Sequence, residues 1–79
     1  MHKTLNEVAV GQEGTVLGFA QGNISYRQKL LAMGLIKGTS FKVLRVAPMG
    51  DPVEISVRDF RLSLRRDEAK ALFIAEGGK

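Results

Sequence analysis

Few side chains in this 79-residue sequence can do covalent chemistry. There is no cysteine, and the one histidine, His2, lies beside the start, where order is least expected. A nucleophile and its base must be held within hydrogen-bond reach on a rigid frame, and His2 is poorly placed for that. A paired-carboxylate mechanism needs two acids fixed in a cleft. Asp51, Glu54 and Asp59 are instead dispersed over turns and an alternating strand, where acids serve turn geometry and solvation. Gly11 and Gly14 are not followed by a helix that opens with lysine, so no phosphate-binding loop is present. The inventory excludes thiolate metal sites and points away from an enzyme. No cofactor is expected.

Arginines are the other group with chemical potential. Arg58, Arg61, Arg65 and Arg66 are close in sequence, and Arg45 can join them on one sheet face. Twelve basic against eight acidic residues leave a net charge of +4, a bias that suits nucleic acid, an anionic surface or an acidic protein face. Single-strand binders interleave aromatics with such charges. Here four Phe and one Tyr fall mostly at core-like positions. The plainer expectation is the solvent face of two strands, with no nucleic acid as partner.

These residues must be held by few elements. Apolar residues make up 44% and charged residues 25%, an ordinary balance for one small globular domain over residues 1–79. Without disulfides, a reducing compartment fits. No apolar run approaches the ~20 residues that span a bilayer, and Met-His-Lys-Thr-Leu-Asn-Glu lacks the apolar core expected of a signal peptide. A cytoplasmic protein is the simplest expectation.

Ser25 to Gly38 reads as the one substantial helix and its exit. Ser25 and Gln28 have capping-box spacing, and Gly34 can close the helix in the left-handed conformation. Tyr26, Leu30 and Met33 share a stripe, with Leu31 beside it. So short a helix is marginal alone, and strands must support it. Thr4 to Gly14 reads as a short turn of helix or irregular lead-in, then a turn at Gly11-Gln12-Glu13-Gly14. Five strands are expected: Thr15–Ala20, Ser40–Ala47, Val53–Arg58, Phe60–Arg65 and Leu72–Ala75. Gly18 suggests a bulge or a close backbone approach. The second strand is too apolar to alternate cleanly, which suggests cover on both faces. Gln21 to Asn23 reads as loop, residues 66 to 71 as a polar helix-prone turn, and Glu76 to Lys79 as a frayed tail. The fold class expected is mainly β, a small SH3-like barrel closed on itself, with one short α-helix after the first strand.

Three pieces carry a resemblance to a known family. They are Tyr26-Arg27-Gln28-Lys29-Leu30-Leu31-Ala32-Met33-Gly34-Leu35, Leu44-Arg45-Val46-Ala47-Pro48-Met49-Gly50-Asp51-Pro52, and Leu62-Ser63-Leu64-Arg65-Arg66-Asp67-Glu68-Ala69. In this order and spacing the chain, from about Leu5 to Ile74, resembles the FeoA family. The resemblance implies an SH3-like barrel and a role in bacterial ferrous-iron uptake. It implies action at the cytoplasmic side of a membrane permease that carries a GTPase domain. The domain type also resembles the C-terminal module of metal-dependent transcriptional repressors. Asp59 stands where many relatives would have glycine.

Ferrous iron prefers imidazole and carboxylate ligands. One terminal imidazole and no ligand-spaced cluster make a metal site unexpected, so a transport role would be exerted on the transporter. The helix is the best candidate for that contact. Arg27, Lys29, Leu30, Leu31, Met33, Leu35 and Met49 are the candidate partner-binding residues: the apolar ones as a patch if exposed together, the basic ones as a charged rim. The same patch could support self-association. The function expected is a non-enzymatic accessory protein that binds the GTPase-bearing permease. The alternative is a metal-linked regulatory or nucleic-acid-binding module. A receptor for proline-rich peptides needs an aromatic groove, hard to build with no Trp and one Tyr.

Overall fold

Alternation is cleanest in Val53–Val57, where Val53, Ile55 and Val57 are buried and Glu54 and Ser56 are half-exposed. That strand sits inside a six-stranded antiparallel sheet in a computed structural model that describes residues 3–20 and 24–77. The elements are β1 (Lys3–Thr4), a 3₁₀ turn (Leu5–Glu7), β2 (Glu13–Phe19), α1 (Ile24–Ala32), β3 (Ser40–Val46), β4 (Val53–Val57), β5 (Phe60–Leu64), α2 (Arg66–Lys70) and β6 (Leu72–Glu76). Strand order is β1-β6-β2-β3-β4-β5.

Four expectations are corrected. There are six strands rather than five, because Lys3 and Thr4 pair with Ile74 and Phe73 at the start of the lead-in. The helix therefore follows the second strand rather than the first. A second helix, α2, forms where a single polar turn was expected. The sheet is also open. β1 and β5 are its two ends and do not pair with each other, since the chain leaves β1 after two residues and turns into the 3₁₀ segment. The extents, 28 × 28 × 27 Å, show how strongly the sheet curls around its apolar face.

Both wide strands carry an irregularity that the sequence half reveals. In β2 the register to β6 shifts between Val16 and Gly18, the bulge that Gly18 suggested; a side chain at Gly18 would meet nothing within 4 Å, so no close approach occurs there. In β3 the register to β4 shifts between Val43 and Arg45. Leu44 is the extra residue. A bulge, rather than cover on both faces, explains why Phe41, Val43, Leu44 and Val46 fail to alternate.

The core collects Val16, Phe41, Val43, Val53, Ile55, Val57, Leu64, Leu72 and Ile74 from the strands. Leu5 of the 3₁₀ turn, Val8 just after it, Leu30 of α1, Leu35 beyond it and Ala69 of α2 complete it. Helix α1 begins at Ile24, so Ser25 lies inside its first turn and is not the cap; the preceding loop, residues 21–23, lies outside the described residues, as do His2 and the last two tail residues. The C-terminus is as the sequence suggests. Gly34 has φ +90, its N–H donates to Leu31 O at 3.0 Å, and Leu35 N–H donates to Leu30 O at 3.0 Å. That is a Schellman closure, with Leu35 packed inward beside Leu30.

Candidate partner-binding surface

The three sequence pieces that carry the resemblance meet in space, and charged side chains tie them. From the first piece, Lys29 Nζ donates to Glu68 Oε2 of the third at 2.5 Å. From the second, Asp51 accepts from Arg65 Nε at 3.0 and 3.3 Å and from Arg66 N–H at 3.2 Å. Gly50 (φ +78) and the bonds Gly50 N–H to Ala47 O and Ala47 N–H to Pro52 O shape the turn that presents Asp51. Tyr26, Asp51, Arg65 and Glu68 line a polar groove of about 280 Å³ at this junction.

The electrostatics follow from these contacts. The Arg65 guanidinium, with the Arg66 N–H, holds the Asp51 carboxyl below the usual carboxylate range, and Asp51 raises Arg65 in turn. Glu68 is 3% exposed. Burial pushes its carboxyl up, but the bonds from Lys29 Nζ and Arg65 N–H (2.9 Å) outweigh burial and leave it lowered. At the far edge Lys3 pairs with Glu76 at 2.8 Å.

The predicted contact residues separate into three groups. Leu30 and Leu35 are fully buried. Their expected place in an exposed patch is corrected: the helix closure turns both into the core. Lys29 is committed to Glu68. Arg27, Leu31 and Met49 are exposed, the last two at 40% and 81%. Arg27 lies over the Phe19 ring at 6.0 Å, within cation–π range. Ile24, 71% exposed and one heptad before Leu31, shares Leu31's helix face and was missed because it falls between the loop expected at Gln21 to Asn23 and the helix expected from Ser25.

Met33 leads to a second groove. With Gly34 it forms one wall of an apolar depression of about 290 Å³, and Val57, Arg58, Phe60, Arg61 and Leu62 of the β4–β5 hairpin form the other. Phe60 is 68% exposed. It reads as an inward strand residue in the sequence, but it follows the hairpin turn directly and projects past the core.

The basic residues do not build a nucleic-acid stripe. Register places Arg45 opposite Glu54 and Lys42 opposite both Glu13 and Ser56, so acids interrupt the positive rows. Among the described residues no three His, Cys, Asp or Glu side chains are grouped to hold a metal, and no helix is long and apolar enough to cross a membrane.

Fold and surface together define a small SH3-like β domain with an exposed helix face and two grooves beside it. The FeoA domain family model matches residues 3–76. The chain belongs to the FeoA family. A Fe(2+) transport protein A/Fe(2+) transporter FeoB fusion protein of Porphyromonas gingivalis is 32% identical over 65 residues, which are 82% of this chain and 8% of that protein. The chain thus spans under a tenth of that relative's length. A FeoA-like protein from Clostridium acetobutylicum superposes with TM-score 0.88 at 33% identity, covering 99% of this chain and 90% of that one. FeoA of Stenotrophomonas maltophilia, complexed with zinc and described as a prokaryotic SH3 domain protein, superposes with TM-score 0.80 at 25% identity over 92% and 89% of the two chains. Manganese-dependent transcriptional repressors share the fold alone, at 15% identity or less for two of them.

Proposed function

We propose that this protein is a non-enzymatic accessory factor of bacterial ferrous-iron uptake, one domain over residues 1–79. It works on the cytoplasmic side and binds the GTPase-bearing iron permease. The observation that carries this reading is the Porphyromonas relative, in which a segment like this chain is joined to the transporter FeoB. Fusion gives two partners a high effective concentration, which selection favours where they act together. The Stenotrophomonas relative, described as a candidate activating factor of ferrous iron transport, supports the same class.

The contact surface centres on α1: Arg27 and Leu31 on its exposed side, Met33 at its C-terminal end, and Met49 as an exposed apolar anchor. The test is retention of the detergent-solubilised ferrous-iron permease from the same source on the immobilised protein. Retention is expected, with a change in GTP hydrolysis or iron flux when the protein is added. The absence of both retention and any such change overturns the reading.

A further inference from the structure

We propose that the edge of β5 and the apolar groove beside it take an extended acidic segment of the partner by strand addition. The inference rests on the transport reading and names the kind of segment the permease must offer.

The backbone carries the first part. β5 ends the sheet and, among the described residues, pairs only with β4. The hairpin joins Val57 to Phe60 through the two-residue turn Arg58–Asp59. Such a turn makes its flanking residues a hydrogen-bonded pair. Phe60, Leu62 and Leu64 therefore bond to β4, while Arg61 and Ser63 direct N–H and C=O outward. A peptide laid along β5 would find a ladder ready to extend. The other edge offers no such template, since β1 has two residues and Lys3 is bound to Glu76.

Side chains carry the second part. Phe60 and Leu62 line the groove that Met33 closes, so an apolar side chain of the added strand has a seat. Arg58 and Arg61 stand at its rim, and among the described residues neither is in an ion pair. They favour an acidic segment. They disfavour a second copy of this chain, which would set arginines against arginines, the usual protection of an edge strand.

The experiment is capture of the same solubilised permease by wild type and by three variants whose melting is checked first. Ser63→Pro removes an outward N–H where an edge strand tolerates proline. Arg61→Glu reverses the rim without touching the backbone. Val10→Ser alters an exposed apolar residue elsewhere. Affinity is expected to fall at least ~10-fold for Ser63→Pro and Arg61→Glu and to hold for Val10→Ser. In the wild-type complex the Arg61 and Ser63 amides should gain protection from hydrogen exchange. Capture by wild type with equal capture by Ser63→Pro and Arg61→Glu overturns the inference and leaves the transport reading standing. No capture by wild type overturns both. A wild-type dimer that Ser63→Pro dissociates also overturns the inference, because the edge then belongs to a second copy.

Discussion

Gly14 shows how one residue can hide its role in sequence. Gln12-Glu13-Gly14 reads as a turn, yet Gly14 is buried in β2, opposite Phe41 on one side and Glu76 on the other. A Cβ there would stand 2.7 Å from Phe41 Cζ and 2.8 Å from Ala75 O. The ring could turn aside, but the carbonyl belongs to the sheet. Gly14→Ala should therefore lose stability by about 1–3 kcal/mol, the usual range for overpacking, read as a lower urea midpoint with unchanged slope. A midpoint equal to wild type would show that β6 yields at Ala75. The β4–β5 turn makes a similar point. The sequence draws attention to Asp59 in place of glycine, but the left-handed residue is Arg58, at φ +56. Which of two turn residues takes positive φ depends on strand register, and register is set by the whole sheet.

At the scale of elements, much of α1 was legible because its signals are local. Of the stripe Tyr26, Leu30, Met33, Leu30 is buried, Met33 packs half-buried against the core and Tyr26 stays half-exposed at the polar groove, and Gly34 closes the helix where expected. The candidate patch was less legible, since Leu30 and Leu31 differ in burial by one step of helix rotation. The link between α1 and α2 could not be read at all: Lys29 and Glu68 are 39 residues apart. That link should be felt in acid. Glu68 has its carboxyl lowered in the folded protein from an ordinary 4.5. A group depressed on folding contributes stability above its unfolded value and loses it as pH falls through the folded one. Wild type should therefore lose stability progressively below about pH 4.5, and Glu68→Gln should lose less over the same interval. Because Lys29 is 55% exposed in its side chain, solvent screening limits its coupling to Glu68 to about 1 kcal/mol or less. A Lys29→Met, Glu68→Gln double-mutant cycle at neutral pH measures it. Parallel acid titrations of wild type and Glu68→Gln would exclude this carboxylate as a source of the acid sensitivity.

At the scale of the molecule, the sheet's curl and its charge act together. Antiparallel strands with an apolar inner face were legible from period-two alternation, but closure was not: whether the two end strands meet depends on lengths and bulges summed around the sheet. Left open, the molecule presents β5 and its arginines on a body of net charge +4. Such a charge acts at a distance, whereas the groove acts only on contact. Raising NaCl from ~0.05 to ~0.5 M shortens the screening length from roughly 14 to 4 Å. If an acidic permease segment is the partner, association should slow several-fold across that range while dissociation changes far less, because steering acts on encounter and the seated strand is held by backbone bonds and apolar contact. Surface plasmon resonance on the immobilised protein separates the two rates. An association rate indifferent to salt would assign recognition to the uncharged residues, Leu31, Met49 and Phe60, and would remove the arginine rim from the binding mechanism.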